Sequence, residues 1–446
     1  MQIHIPSQNV PVLAEADVLV CGGGPAGIAA ACSAARHGAS VILVERWPCV
    51  GGMATAALVT CWHRSDREKM VIYGLVEEGA ERALKRGWIQ KDSKYPHAHE
   101  THWFDPEGMK VVFQDMLDES GVRTFCYTVA GPPILKEGRI RGVAVETKQG
   151  TRALLGKIVA DATGDGDVAV KAGVPFGFGR EGDGRVQGMT MMYRVCNIDE
   201  EKIRALSDDR VTELDSEMRA AMEKGEAPPY KQSFTVRYAR NRSIPNMAPV
   251  AGNPLDEEEL TKLTALGRKR VYAYWDWLRD RVPGLEKVQI EQTGFSLGIR
   301  ESRRIRGLKT LDKDMVLGAV KQPDAIGHGI WMIDIHDPLG TGYTTWEDRN
   351  CTNMVPQGQS YHIPLGMCLN TQIPNLGVVG RCASSTHEGH SSVRVQTHCM
   401  VMGQGVGTAA AMALEAGIDM GQVDITELQK KLKADGVYLE DVPQNP

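Results

Sequence analysis

One glycine-punctuated turn near the start limits what this chain can become. Asp17 to Val20 reads as a short buried strand, and it runs into Gly22-Gly23-Gly24-Pro25-Ala26-Gly27. A small-residue helix is predicted from Ile28 to about His37, closed by Gly38, and a second apolar strand from Ser40 to Val44 ends at Glu45. This is a complete βαβ unit in which each part has a physical task. Gly22 makes the tight turn. Gly24 has no Cβ, so a pyrophosphate can approach the backbone, and Gly27 lets the helix pack against the strands. The free N–H groups and dipole at the helix start, around Pro25 and Ala26, attract phosphates. Glu45 lies 18 residues past Gly27, where a carboxylate can accept hydrogen bonds from an adenosine ribose and would repel a 2′-phosphate. A bare G-x-G-x-x-G can be an ordinary glycine-rich turn. The strand before it, the alanine-rich helix after it and the acid at the second strand's end favour a dinucleotide site.

The next stretch is Arg46-Trp47-Pro48-Cys49-Val50-Gly51-Gly52-Met53-Ala54-Thr55. A glycine pair so soon after the ribose acid separates FAD-binding from NAD-binding versions of this unit. Here the chain resembles the glutathione-reductase-like FAD superfamily. The resemblance implies that Arg46, Gly52, Met53, Ala54 and Thr55 pass close to the pyrophosphate and ribityl chain of FAD.

Pro106 to Ser120 reads as an amphipathic helix. Short strands follow at Val122 to Val129, Pro133 to Lys136, Arg139 to Thr147 and Thr151 to Leu155, with Glu137-Gly138 and Gln149-Gly150 as turns. This β-meander leads to a buried strand, Lys157 to Ala160, and then Asp161-Ala162-Thr163-Gly164-Asp165-Gly166-Asp167. An apolar strand ending in Ala-Thr-Gly resembles the second flavin-domain signature of that superfamily. The resemblance adds Val129, Ala162, Thr163, Gly164 and Asp165 to the cofactor set; the alternative is a strand followed by an Asp-Gly turn. Gly177 to Gly182 also satisfies G-x-G-x-x-G, but no strand directly precedes it and Asp183-Gly184 breaks any helix after it. It is rejected as a second dinucleotide site, and no NAD(P) motif remains. Asp199 to Lys224 and Asp256 to Asp280 read as mainly helical, with an irregular, proline-rich stretch from Ala227 to Pro254 between them.

Near the end, Ile373 to Cys382 reads as a turn, a buried strand and a tight exit through Gly380 and Arg381. Gly403-Gln404-Gly405-Val406-Gly407-Thr408 then precedes an alanine-rich stretch to Glu415. A helix starting at Gly403, Gln404 and Gly405 would aim its N–H groups at the flavin N1–C2=O edge and stabilise reduced FAD. The alternative is a small-residue helix packed tightly for steric reasons.

With these pieces in order, the chain resembles the bacterial FAD-dependent oxidoreductase family, itself similar to fumarate reductase flavoproteins and to the flavin part of heterodisulfide reductase. Further marks are Gly298-Ile299-Arg300-Glu301-Ser302-Arg303-Arg304 and Tyr361-His362-Ile363-Pro364. The resemblance covers nearly the whole chain. It implies an α/β fold: a doubly wound, Rossmann-like FAD-binding domain with a β-meander and an inserted α+β substrate domain. The expected divisions are residues 1–171 and 363–446 for the FAD domain and 172–362 for the insert. Two departures stand out. Leu365-Gly366 follow the Ile-Pro pair where family members often carry an aromatic and an arginine. The cysteines also lack the spacing for the iron–sulfur clusters of heterodisulfide-type members.

The function expected is FAD-dependent oxidation of a small organic substrate at C–OH or C–H, or reduction of C=C, by hydride transfer at flavin N5. The alternatives are a fumarate-reductase-like CH–CH oxidoreductase acting on a carboxylate, and a non-catalytic flavoprotein subunit of a complex. His387 is the candidate base, suited because the ordinary histidine pKa lies near neutrality, with Arg394 as anion anchor or polariser. The other reading makes His387 a hydrogen-bonding residue near the flavin with no proton-transfer role. Arg300, Arg303 and Arg304 with Glu301 could hold a carboxylate or sugar hydroxyls by bidentate bonds, or could form an inter-segment salt-bridge network, the reading favoured for at least two of the three. His328, His336 and His362 are expected in polar loops of the insert, without metal-ligand spacing. Cys49 is read as a packing cysteine in preference to a covalent flavin–thioether or a redox-active thiol.

Composition narrows the rest. The net charge is -5 without a block of like charge, so nucleic acid and anionic membranes are not expected partners. No run approaches a bilayer span, and Met1 to Glu15 lacks the pattern of a signal peptide. Ten scattered cysteines with no C-x-x-C suggest reduced thiols in the cytoplasm. A separate electron-transfer partner and a homodimer are further expectations.

Overall fold

Residues 3, 9–92, 101–229, 246–340 and 352–443 are described by a computed structural model. Its frame is a sheet that changes character along one long strand. β1 (Val12–Cys21) leads through α1 (Pro25–Arg36) to β2 (Val41–Val44), which pairs with β1 in parallel. β3 (Arg123–Phe125) extends the parallel sheet beyond β2 and follows the helix α2 (Pro106–Glu119), whose cap Asp105 accepts a bond from Glu107 N. The meander is β4 (Val129–Lys136) and β5 (Arg139–Thr147), and it returns into β6 (Gly150–Asp161).

β6 runs parallel to β1 along nearly all of its length. Its other edge is divided. Gly150 to Leu155 pairs antiparallel with β5, and Val159 to Asp161 pairs in parallel with β7 (Leu376–Val378). The two strands expected at 151–155 and 157–160 are therefore one, because β1 supplies a continuous ladder past Gly156. There a Cβ would stand 2.9 Å from Leu19 Cβ. Asn375 holds the fork. Its Nδ2 donates to Ile140 O and Lys157 O, both at 2.7 Å, and its Oδ1 accepts from Ile140 N at 3.1 Å. These bonds pair backbone groups that the parting of β5 from β7 would otherwise leave unsatisfied.

A second core gathers residues from Met189 to Ile299 around the helix α3 (Glu257–Arg279), with Tyr193, Tyr274, Trp275 and Leu278 at its centre. The expected helix at 199–224 is two helices, Glu200–Arg204 and Asp208–Glu223, because Ser207 caps the second by accepting from Arg210 N. The stretch expected to be irregular, 227–254, falls partly outside the described residues. Further along, Ile305, Leu311, Ala325, Ile326, Tyr361 and Ile363 pack into the cores around the main sheet.

The chain closes with α4 (His387–Val393) and α5 (Gln396–Ala416). Gly403, Gln404 and Gly405 lie about two turns inside α5, which corrects the expectation of a helix start there. Nothing from Gln396 onward breaks the helix, and the glycines are accommodated by close packing on α1. A Cβ at Gly403 would lie 2.1 Å from Ala26 O, and one at Gly407 2.3 Å from Ala30 O. Gln404 Oε1 accepts from Leu75 N at 3.0 Å, and Gly405 presses on Ile326. Among the described residues, no helix is long and apolar enough to cross a membrane.

Candidate functional site

The carboxyl ends of β1, β6 and β7 open onto one edge of the sheet, the place where doubly wound folds bind ligands. After β1, Gly22 adopts φ +113°, and a Cβ there would lie 2.3 Å from Ala162 O. At Gly27 a Cβ would meet Gly22 O at 1.9 Å. Both glycines let backbone touch backbone. Gly24 differs: nothing lies within 4 Å of the position its Cβ would take. It is also the N-cap of α1, and no side chain caps that end.

The second glycine pair folds back onto this turn. Gly51 N donates to Gly23 O at 2.7 Å, and Gly52 sits with a would-be Cβ 2.9 Å from Gly24 Cα. Met53 and Ala54 complete a tight turn, and Thr55 Oγ1 donates inward to Val50 O at 2.9 Å. At the end of β2, the Glu45 carboxylate accepts from Gly23 N at 2.8 Å and from Trp47 N at 2.9 Å. Burial pushes this carboxyl above the usual range, against the pull of those two N–H groups. Arg46 is exposed and lies over the Trp47 ring, 5.2 Å from its centroid. Val129 opens β4 beside Tyr127 and Thr128, whose N–H groups bond Trp47 O and Glu45 O. Val129 is 49% exposed, so an apolar face flanks the ribose acid. An uncapped helix end facing open space, a carboxylate at the β2 end and an exposed apolar flank together fit an extended dinucleotide.

The segment after β6 serves partly as scaffold. Asp161 is fully buried and accepts four bonds, from Thr163 N (3.0 Å) and Oγ1 (2.7 Å) and from Val168 N (2.9 Å) and Ala169 N (2.8 Å). Burial nevertheless holds its carboxyl above the usual range. Asp165 Oδ1 accepts from Ser302 Oγ at 2.6 Å and Arg381 Nη2 at 2.7 Å. Burial alone would raise the Asp165 carboxyl, but Arg381 and the Ser302 bond outweigh it and bring the value down. Gly164 (φ +80°) lies beneath the Arg381 guanidinium, and Gly380 (φ +85°) packs on Ala26. The β6 and β7 exits are thereby locked to each other and to the start of α1.

The segment Gly298 to Arg304 joins the two bodies. Arg303 pairs with Asp167 at 2.5 Å. Arg304 pairs with Glu301 and also donates to Ser385 O at 3.1 Å and Gly179 O at 2.8 Å. These two arginines form the inter-segment network. Glu301, fully buried, further accepts from Gln187 N at 2.9 Å and from His387 Nδ1 at 2.9 Å. His387 Nε2 has no hydrogen bond to any described residue. Its neighbour His390 donates from Nε2 to Arg381 O at 3.0 Å. Burial, then the charges of Arg304, Arg394 and Arg381, hold His390 well below the usual histidine value.

Arg394 Nη2 donates to Asp334 O at 3.1 Å and Oδ2 at 3.4 Å. His336 Nε2 stands 3.4 Å from the same carboxylate, and Trp331 donates to it at 3.5 Å. Trp331 stacks on His63 with ring centroids 3.8 Å apart. Burial lowers His63 to about 4, with Asp334 pulling the other way. Arg300 lies close by, its guanidinium buried among Gly188, Thr190 and Asn246.

The structure thus gathers His387, Arg394 and Arg300 into one polar interior adjoining the Asp165–Arg381 clamp. Glu301 as the partner of His387, and Asp334 as the partner of Arg394, escaped the sequence reading. Glu301 was visible only as part of a charged cluster, and Asp334 stands in no motif. His328 and His362 are not loop residues. They sit in the paired strands Ala325–Gly329 and Tyr361–Pro364, buried, with His328 bonded to Ser360 at 2.7 Å and His362 to Glu440 O at 3.0 Å. His336 is buried rather than displayed on a polar loop. The second glycine match at 177–182 begins in the strand Phe176–Phe178 and turns at Gly179, with no helix after it.

Among solved structures, the chain is similar to a geranylgeranyl bacteriochlorophyll reductase-like protein from Thermoplasma acidophilum. Identity is 14%, over 94% of this chain and 83% of that one, with a TM-score of 0.45. It is similar to the myxobacterial chondrochloren halogenase CndH at 13% identity, over 94% and 78% of the two chains, TM-score 0.45. A third likeness is p-nitrophenol 4-monooxygenase PnpA from Pseudomonas putida, at 10% identity over 96% and 90%, TM-score 0.44. The family model described as FAD dependent oxidoreductase matches residues 17–432, from β1 through α5 and beyond. That match spans the glycine turn, the long strand, the second core and the closing helices, and on it the chain belongs to the FAD dependent oxidoreductase family, an enzyme with FAD as its cofactor.

Proposed function

We propose that this enzyme oxidises or reduces a small organic molecule held between the exits of β6 and β7 and the body built on residues 189–299. Gly24, the start of α1, Glu45, Gly52 and Val129 would hold the nucleotide part of FAD. When bound, FAD supplies a two-electron acceptor or donor for a hydride at its N5. The chain's own residues supply the proton chemistry. Glu301 fixes the His387 ring through Nδ1 and leaves Nε2 without a partner among the described residues. An imidazole oriented by a carboxylate on one nitrogen and unengaged on the other is the arrangement of a general base or acid. Arg304 and Gln187 N hold the Glu301 carboxylate in place. This buried dyad carries the reading and speaks against a non-catalytic flavoprotein subunit.

Anaerobic mixing of the FAD-loaded enzyme with pools of sugars, hydroxy acids, amino acids, amines and carboxylates should bleach the flavin band with one pool. With that substrate, His387→Gln should slow the reductive step by about 10²-fold or more. Glu301→Gln should slow it less and shift the pH profile. Unchanged bleaching in His387→Gln removes the proton role. A second reading, CH–CH oxidoreduction of a carboxylate, is favoured by one observation, the neighbouring arginines Arg300, buried, and Arg394, largely buried.

A further inference from the structure

Arg300 is buried with no carboxylate among its hydrogen-bond partners in the described residues. Nη1 donates to Gly188 O and Thr190 Oγ1, both at 2.8 Å, and Nη2 donates to Asn246 Oδ1 at 3.0 Å. All three acceptors are neutral, and two of its five N–H groups have no acceptor among the described residues; the Asp334 carboxylate attracts it without a hydrogen bond. Arg394 is the nearby cation. Its Nη2 reaches Asp334, and its Nε is buried with no acceptor among the described residues. The guanidiniums repel each other while Asp334 attracts both; burial first, then Arg394, brings Arg300 down to about 9. Glu301 also attracts Arg394 but is already engaged by Arg304 and His387.

Among the described residues, Arg300 and the largely buried Arg394 therefore share one carboxylate, that of Asp334. An unpaired buried cation costs several kcal/mol unless an anion joins it, and guanidinium forks match carboxylate oxygens in geometry. We propose that Arg300 and Arg394 form a subsite for the single carboxylate of the substrate, next to the His387–Glu301 dyad. The proposal rests on the reading of this interior as the substrate site. One positive charge left uncompensated among the described residues fits a monocarboxylate better than a dicarboxylate. The Nε–H of Arg394 and the remaining N–H groups of Arg300 are the donors available to it.

Sodium acetate and sodium benzoate are the probes, titrated into the FAD-loaded enzyme, with acetamide, benzamide and succinate as comparisons. Flavin difference spectra and thermal midpoints are the readouts. The expected result is saturable binding of a monocarboxylate, none by its amide at equal concentration, and no advantage for succinate. Arg394→Gln should weaken that binding about tenfold or more at unchanged FAD content. Arg394→Lys should fall between, because charge stays and the fork is lost. Equal binding of acid and amide, tighter binding of succinate, or undiminished binding in Arg394→Gln overturns the proposal. If Arg394→Gln does not fold, the acid-against-amide comparison in the unaltered enzyme decides alone. Carboxylate binding without bleaching by any pool supports the subsite and counts against the redox reading. Bleaching by a neutral alcohol without carboxylate binding does the reverse.

Discussion

Gly24 and Gly403 both border the first turn of α1. A Cβ on Gly24 would meet nothing within 4 Å, whereas one on Gly403 would lie 2.1 Å from the Ala26 carbonyl oxygen. Both belong to glycine-rich runs, Gly22 to Gly27 and Gly403 to Gly407, and glycine content alone does not separate the two. The first leaves room for something outside the protein. The second removes side chains so that α5 can lie backbone-to-backbone on α1. A glycine-rich motif thus has two physical meanings, and only what faces the missing Cβ separates them.

Substitution sharpens the contrast. Gly403→Val should cost about 3 kcal/mol or more of stability, read by urea unfolding, because neither helix can retreat without opening the core. A melt within roughly 0.5 kcal/mol of the unaltered protein would erase the distinction. Gly24→Val should do the opposite. Gly24 has φ -74° and ψ 179°, a conformation any residue adopts, so the FAD-free protein should keep its stability. FAD affinity should fall about tenfold or more, roughly 1.4 kcal/mol, as measured by flavin fluorescence titration. A tight-binding Gly24→Val would move the pyrophosphate elsewhere. The smallest effect is expected at Gly38, whose φ is +92° with open space around it. Gly38→Ala should cost about 1 kcal/mol from backbone strain alone and leave FAD affinity unchanged.

The first glycine turn was legible because its determinants are close in sequence. Gly22, Gly27, Glu45 and Gly51 lie within thirty residues, and strand, turn, helix and strand each leave a local pattern. The same holds for α2, where Asp105-Pro106 marks the start and the observed helix ends one residue from the expected position. The break expected near Gly156 failed for a non-local reason: β1 pairs on both sides of it. The misplaced helix start at Gly403 failed likewise, since the steric demand comes from Ala26, far earlier in the chain.

The candidate site shows the same division. His387, Arg394 and Arg300 were visible as chemistry-bearing residues, because an imidazole can exchange a proton near neutral pH and a guanidinium can grip an anion. Their partners were not visible. Glu301 reaches His387 across 86 positions, and Arg394 meets Asp334 across 60. The amino-acid sequence by itself determined the βαβ unit and the meander, because these depend on spacing and periodicity that a chain carries along its length, and the cofactor class followed from the family its glycine motifs resemble. The tertiary structure alone decided that Arg303 and Arg304 tie segments together while Arg300 bonds only neutral acceptors among the described residues. Charge compensation depends on which side chains meet after folding, and nothing in the spacing of Arg300, Arg303 and Arg304 records that difference.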